Sequence, residues 1–162
     1  MEILTTTGYS VNNYGKWMNT IMEHSPSEWV LFHDHDIFFA NKNWMQICQK
    51  HLRDNKDGGL FTCVTNRIGN GEQKVFREQD DHDLRHHWMF AEKQQGEPLI
   101  EATRPISGLI MLTSKTAWKK CGGFREKGII GVDNHYYGAV KRAGYKVYIM
   151  KDLYVYHRYR AK

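Results

Sequence analysis

Two aspartates separated by one residue follow directly after an apolar segment. The run from Trp29 to Phe32 is continuously apolar, as expected of a buried strand, and Asp34 and Asp36 come just after it. In an extended backbone, residues two apart project to the same side, so the two carboxylates are expected to converge. Like charges held this close repel unless a cation or a proton lies between them. Carboxylate oxygens suit magnesium or manganese, which in turn bind substrate phosphates.

The same residues also fit a purely structural role. Asp often begins a turn and caps the next helix, so spacing alone leaves both interpretations of Asp34 and Asp36 open. The alternation places His33 and His35 on the opposite side, where packing or outer-shell contacts are expected in preference to metal ligation. A histidine-rich zinc site fits less well, because the spacing matches no familiar zinc pattern.

The elements around the pair alternate between strands and helices. The first half predicts, in chain order, the strand Ile3–Thr7, a helix capped at Asn12-Asn13, the strand Trp29–Phe32, a helix over about Asn43–Leu52 and the strand Leu60–Val64. Since parallel strands need crossover connections, this order predicts an α/β domain with a mixed, mostly parallel sheet flanked by helices. In such sheets ligands bind beyond the carboxyl ends of the strands, where the aspartates lie.

The second half continues the alternation. It predicts, in chain order, a surface helix within Asp80–Gln95, the strand Ile106–Leu112, a helix capped by Ser114, a helix over Asp133–Arg142 closed by Gly144, and two strands, Lys146–Met150 and Leu153–His157. There is no internal repeat. A chain of 162 residues with this pattern is expected to form one domain spanning residues 1–162.

Composition narrows the class of protein. Lys and Arg outnumber Asp and Glu by 23 to 18, a net charge of +5 that favours an anionic partner such as a nucleotide or phosphate. No apolar run reaches the ~18 residues of a membrane span, so no transmembrane segment is predicted. The three cysteines, Cys48, Cys63 and Cys121, are scattered and form no Cys-x-x-Cys pair. We therefore expect reduced thiols in a cytoplasmic protein.

Five features of the chain, in order, resemble the catalytic half of family-two glycosyltransferases of the GT-A type. They are Asp34-x-Asp36 after an apolar strand, the Ser107-Gly108 strand followed by the Ser114–Trp118 helix, the turn Gly122-Gly123-Phe124, the segment Gly131-Val132-Asp133-Asn134 and the late His157. The resemblance covers about Trp29 to His157. It implies a GT-A-like fold and transfer of a sugar from a nucleotide-diphosphate donor to a hydroxyl acceptor such as a glycan or polysaccharide precursor.

The resemblance also implies roles for individual residues. Asp34 and Asp36 would hold Mn²⁺ or Mg²⁺ on the donor diphosphate, and His157 would be a further metal ligand. Asp133 would act as the general base of an inverting reaction, although this chain has Val132 where family members commonly carry a second acid. Two structural alternatives stay open: His157 within an aromatic cluster, and Asp133 as a plain helix N-cap.

Donor and acceptor contacts are expected at the strand and helix ends that face the same site. Thr6, Thr7 and Tyr9 follow the first strand, where a nucleotide would lie, and Lys16 at the start of the first helix would contact a phosphate. Gly108 would let the backbone approach a substrate, unless it marks a bulge. Asn134 follows the implied base. No acidic partner for a uracil base is visible among the residues that follow the first strand, Thr5, Thr6, Thr7 and Tyr9.

That shortness leaves other functions open. Only about 28 residues precede the Asp-x-Asp strand, so the chain would be a minimal enzyme, a fragment, or a catalytically silent module that binds nucleotide or sugar. A basic nucleic-acid-binding protein is a competitor from another class, but it lacks the aromatic-plus-basic motifs of common RNA modules. A metal-dependent phosphodiesterase would use the carboxylates and leave the Gly-Gly-Phe region without a role.

Overall fold

In the computed structural model of the chain, the described residues are 3–7, 12–75 and 81–158. Their helices are α1 (Tyr14–His24), α2 (Trp44–Asp54), α3 (Leu84–Lys93), α4 (Lys115–Cys121) and α5 (Val132–Arg142). Their strands are β1 (Ile3–Thr7), β2 (Trp29–His33), β3 (Ile37–Phe39), β4 (Gly58–Thr65), β5 (Leu99–Glu101), β6 (Ile110–Ser114) and β7 (Lys146–His157).

The seven strands form one mixed sheet in the order β1-β2-β6-β4-β7-β3, with β5 also paired to β7. This confirms the predicted α/β class. Parallel pairing does not dominate the described strands, however. The pairs β1–β2 and β4–β7 are parallel, and the other four are antiparallel. Two of the four arise because β6 enters between β2 and β4 in the opposite direction, and the other two are the pairs of β3 and β5 with β7.

Four strands nevertheless run in one direction, and this places the candidate site. The pairings make β1, β2, β4 and β7 co-directional, so their carboxyl ends meet at one edge of the sheet. We call this edge the carboxyl edge. It carries Thr7, Asp34, Asn66 and His157 at or just after the ends of these strands.

The last strand differs from its prediction. The sequence predicts two strands, Lys146–Met150 and Leu153–His157, whereas β7 is continuous. Opposite the step from Cys63 to Val64 in β4, β7 advances from Met150 to Tyr154, so the three residues between them form an irregularity. The two ends of β7 then pair with different strands, β5 with its first half and β3 with its second.

Core residues lie on both faces of the sheet because strand residues alternate in direction. Val30 and Phe32 belong to one apolar cluster, and Leu31 between them belongs to the other. Local capping agrees with the sequence. The Asn13 side chain accepts the Lys16 N–H at the start of α1, and the Ser114 side chain accepts the Ala117 N–H at the start of α4.

Candidate functional site

Asp34, Asp36 and His157 lie together at the carboxyl edge. One ligand atom from each lies within 4.8 Å of the others, and the three side chains range from half-buried to buried. Asp34 follows β2, Asp36 precedes β3, and His157 ends β7. The sequence named these three residues from separate parts of the chain, and the fold brings them to one point.

A turn brings the two aspartates together, and strand alternation does not. Residues 35 and 36 form a turn between β2 and β3, which redirects the chain. The Asp34 N–H donates to the Leu109 carbonyl at 3.0 Å, and the Arg158 N–H donates to the Asp36 carbonyl at 3.0 Å. The backbone of Asp34 is thereby fixed to the residue before β6, and that of Asp36 to the residue after β7. The extended-backbone argument therefore identified the right pair for the wrong geometric reason.

His157 is oriented by contacts outside the cluster. Its Nδ1 lies 2.8 Å from the Arg67 carbonyl oxygen, which can only accept, so Nδ1 carries the proton. The lone pair is then on Nε2, which lies 3.4 Å from Asp36 Oδ1. The buried Asn66 side chain holds the backbone of His157: it accepts the His157 N–H at 2.7 Å and donates to the His157 carbonyl at 3.2 Å.

The electrostatics of the cluster favour a bound cation. Burial raises the pKa of Asp34, and the neighbouring charge of Asp36 raises it further, while His157 opposes the shift. Two carboxylates and an imidazole lone pair are oxygen and nitrogen donors that suit Mn²⁺ or Mg²⁺. The Nδ1–H to carbonyl contact is the outer-shell arrangement that orients a metal-binding histidine. The donor set therefore fits a divalent metal.

Asp133 lies in the first turn of α5 and is held by two backbone donors. The Gly108 N–H donates to its Oδ2 at 2.9 Å, and the Asn134 N–H donates to its Oδ1 at 2.8 Å. The helix itself is capped by Gly131, which has φ of +79° and makes no side-chain cap. The alternative that Asp133 is a plain N-cap is therefore wrong, because the helix begins one residue before it.

The segment Gly108-Leu109 links Asp133 to the cluster of Asp34, Asp36 and His157. Gly108 donates to Asp133, and the next residue, Leu109, accepts from Asp34. A side chain at Gly108 would place its Cβ 3.0 Å from the Asp133 Cβ, so a larger residue here would push Asp133 away by a few tenths of an ångström. The hydroxyl group of Tyr14 is influenced by both Asp34 and Asp133. Burial first, and then the charges of Asp34 and Asp133, raise the pKa of its hydroxyl.

The other predicted contact residues lie at more varied places. Thr6 and Thr7 pair with Phe32 and His33, so β1 ends at the carboxyl edge beside β2. Tyr9 lies outside the described residues. Lys16 is exposed in the first turn of α1. Asn134 is exposed, and its described contact is the backbone bond to Asp133.

The two histidines beside the aspartates take no place in the cluster of three. His33 packs its ring 6.0 Å from that of Phe39, and its Nδ1 contacts the Asp34 carbonyl at 2.8 Å. His35 is exposed in the turn. His33 therefore takes the packing role expected of it, whereas His35 is exposed and does not.

Sequence reasoning missed three residues of this site. Asn66 and Arg67 follow β4 at the carboxyl edge and position His157. The rule that ligands lie beyond parallel strand ends would have pointed to them, had β4 been placed between β6 and β7. Tyr14 gave no signal in the sequence, since its proximity to Asp34 and Asp133 arises from the packing of α1.

Searches against known proteins give structural matches alone. No protein-family model matches the chain, and no curated protein matches it. Among the described residues, no helix has the length and apolar character needed to cross a membrane.

Two of the solved structures that match are glycosyltransferases. One is the mannosyltransferase PcManGT from Pyrobaculum calidifontis in complex with GDP-Man and Mn²⁺, with a TM-score of 0.57 and 17% identity over 88% of this chain and 35% of that one. The other is S. aureus TarS 1–349 in complex with UDP-GlcNAc, with a TM-score of 0.57 and 15% identity over 93% of this chain and 42% of that one.

These matches establish the fold. The two neighbours are GT-A-type glycosyltransferases, and this chain shares their mixed sheet flanked by helices. It spans less than half of the length of either neighbour. The chain therefore has a GT-A-like fold, as the order of its sequence features predicted.

Proposed function

We propose that this chain is a metal-dependent glycosyltransferase that moves a sugar from a UDP- or GDP-sugar to a hydroxyl group of a glycan or polysaccharide precursor. The observation that carries the proposal is the cluster of Asp34, Asp36 and His157 at the carboxyl edge, with Asp133 joined to it through Gly108-Leu109. The nucleotide sugars bound in both structural neighbours support a donor of this class.

In this proposal Asp34, Asp36 and His157 hold Mn²⁺ or Mg²⁺. The bound metal would neutralise charge on the leaving diphosphate, as a Lewis acid. The chain contributes the orientation of the ligands. The Arg67 carbonyl fixes the His157 tautomer, and the backbone bonds of Asp34 and Asp36 fix the main chain from which the two carboxylates extend. Preformed ligands of this kind reduce the ordering needed on binding.

Asp133 is proposed as the general base of an inverting displacement. Each of its oxygens accepts one backbone N–H and keeps a further lone pair, so the carboxylate is held in position and can still take a proton. The acceptor hydroxyl would attack the anomeric carbon of the donor as its proton passes to Asp133. General base catalysis of this type contributes about 10²–10⁴-fold to a rate.

A second candidate is a catalytically silent module that binds a nucleotide sugar. One strand and one helix precede β2 in the described part of the chain, and the chain spans less than half of either neighbour. The cluster of Asp34, Asp36 and His157 fits this candidate as well, as a site that holds a nucleotide sugar with its metal. This candidate predicts donor binding without turnover.

The test is a transfer and donor-hydrolysis assay with Mn²⁺ and a panel of UDP- and GDP-sugars. We expect release of UDP or GDP that needs Mn²⁺ and that Asp133→Asn reduces by about 10²-fold or more while donor binding is retained. Asp54→Asn, which changes an exposed acid on α2, is the matched control and leaves turnover unchanged. Binding of a donor with no turnover by the wild type supports the silent module, and neither binding nor turnover contradicts both candidates.

A further inference from the structure

The segment from Arg125 to Gly131 forms a loop between α4 and α5, here called the Ile loop. Its tip carries two consecutive apolar side chains that face solvent. Ile130 is 94% exposed and Ile129 is 57% exposed. Soluble surfaces contain scattered apolar residues, but two adjacent isoleucines at a loop tip, one almost fully exposed, form a local apolar projection.

The Ile loop is anchored at its base and open at its tip. Asn13 donates its side-chain amide to the Glu126 carbonyl at 3.2 Å, and the Tyr14 N–H donates to the Gly128 carbonyl at 3.3 Å. Gly128 and Gly131 flank the two isoleucines with φ of +71° and +79°, and a Cβ added at either would meet no atom within 4 Å. The backbone therefore turns the tip away from the domain and leaves space around it.

Exposed cationic side chains lie on the Ile loop and on the helix to which its base is bonded. Arg125 and Lys127 are exposed on the Ile loop, and Lys16 is exposed on the first turn of α1, to which the loop is tied. Glu126, the acid of the loop, accepts a bond from the Asn19 amide at 2.8 Å. Among the described residues, none of the ion pairs includes these three cations.

We infer that the Ile loop docks this domain on an anionic lipid bilayer. Exposed apolar side chains at a tip would enter the region between head groups and acyl chains, and flanking cations would contact anionic head groups. The positive charge of Lys16, Arg125 and Lys127 favours an anionic bilayer as the partner. A purely apolar patch would fit many partners, whereas two exposed isoleucines with exposed cations on the same loop and on the adjoining helix match an apolar layer covered by negative charge.

The position of the Ile loop also bears on the acceptor, and this step rests on the proposed function. The loop leads directly into α5, where Val132 is buried and Asp133 follows in the first turn. A bilayer in contact with Ile129 and Ile130 would lie close to the candidate base. The acceptor class that fits this geometry is a hydroxyl on a lipid-linked molecule.

Vesicle sedimentation tests the docking with the chain as it exists. The vesicles are phosphatidylcholine alone or with about 30% phosphatidylglycerol. We expect the wild type to sediment with the anionic vesicles, and Ile129→Ser/Ile130→Ser to weaken this about tenfold or more. Arg125→Gln/Lys127→Gln should weaken it to a similar extent and reduce its dependence on salt. The matched control is Met89→Ser, which changes an apolar residue 60% exposed on α3 and leaves binding unchanged.

Circular dichroism and a thermal transition close to that of the wild type establish that each variant is folded. Three results would overturn the docking: no binding of the wild type to anionic vesicles, equal loss for Met89→Ser and the Ile loop variants, or an Ile loop that proves to hold two copies together, seen as a dimer that the isoleucine variant dissociates. Failure of the two proposals can be told apart. Sugar transfer to a water-soluble acceptor without vesicle binding contradicts the docking alone, and vesicle binding without any donor turnover contradicts the proposed function alone.

Discussion

Strand β7 carries two imidazole–carboxylate pairs that differ in their distance and in the groups beside them. In the first, His51 Nε2 lies 2.7 Å from Asp152 Oδ1, with side chains 5% and 11% exposed. In the second, His157 Nε2 lies 3.4 Å from Asp36 Oδ1, with side chains 7% and 27% exposed, and Asp34 lies beside them. The first pair is a closed hydrogen bond, and the second is an open group with one more carboxylate.

The difference shows that the same residue types form a complete hydrogen bond in one place and a group of three candidate ligand atoms in another. Asp152 lies in the irregularity of β7, and His51 ties it to α2. That pair is complete without a ligand. At the carboxyl edge, a lone pair on Nε2 and two carboxylates face one point, so repulsion remains until a cation enters. The two pairs should therefore respond in opposite ways to mutation and to metal.

The largest expected effect is on metal affinity. Asp36→Ala should weaken Mn²⁺ binding by more than about 100-fold, the upper end for changes that affect only outer-shell partners. Asp152→Ala, the matched change in the closed pair, should leave the affinity within about twofold, because Asp152 is not in the metal cluster. Calorimetric titration with MnCl₂ measures both. Similar losses in the two variants would remove the distinction between the pairs.

Stability should show the reverse pattern. Asp152→Ala removes one partner of a buried hydrogen-bonded pair and should lower the free energy of unfolding by about 3 kcal/mol. Asp36→Ala in metal-free buffer should not lower it, because the change relieves repulsion with Asp34. Urea unfolding followed by circular dichroism gives both values. If Asp36→Ala is the more destabilising change without metal, Asp36 stabilises the metal-free fold, and the claimed repulsion between Asp36 and Asp34 is contradicted.

The pH dependence of metal-free stability follows from Asp34. Its pKa is raised by burial and by Asp36, so the folded protein binds this proton more tightly than the unfolded chain does. The contribution is fully present below the ordinary pKa of Asp, about 3.9, and is lost as pH rises through the raised value. The stability of the wild type relative to Asp34→Asn should therefore fall as pH rises through this window. Added Mn²⁺ should reverse the trend, because the metal binds the deprotonated carboxylates.

Unfolding of both proteins at a series of pH values, with and without Mn²⁺, provides the measurement. Asp54→Asn is the control, since its exposed carboxylate has no part in the cluster. A difference between wild type and Asp34→Asn that does not change with pH, or that rises with pH in the absence of metal, would contradict the assignment of a tightly held proton to Asp34.

The smallest expected effect comes from the residues that orient His157. Asn66→Ala removes two contacts to the His157 backbone and should weaken Mn²⁺ binding about tenfold. Thr65→Val is a milder companion change, because the Thr65 hydroxyl donates to the Asn66 side chain and does not reach His157. Unchanged affinity in Asn66→Ala would mean that His157 keeps its orientation through Arg67 alone.

Much of the site was predictable because its chemistry is local or ordered along the chain. The Asp34-x-Asp36 pair, the Ser114 cap and the late His157 were each readable from residue types and their order. The short strands were not. β3 and β5 have three residues each, too few for a period to appear, and both exist because β7 offers them a pairing edge.

Long-range packing accounts for what the sequence left out. Asp152 lies between the two strands that the sequence predicts, and its partner His51 comes from α2, 101 residues away in the chain. The charges of Asp34 and Asp133 act on the Tyr14 hydroxyl only because the fold brings the start of α1 near both residues. The alternative of Asp133 as a plain N-cap is wrong for a local reason, since Gly131 adopts the left-handed conformation and the helix begins one residue earlier.

The most direct test of the central claim is the electron paramagnetic resonance of Mn²⁺ bound to the chain. If Asp34, Asp36 and His157 hold the ion, the spectrum will show hyperfine coupling to one imidazole nitrogen. That coupling will disappear in His157→Asn and remain in His51→Asn. No nitrogen coupling in the wild type, or coupling that persists in His157→Asn, would contradict the assignment of the open pair on β7 as the metal site.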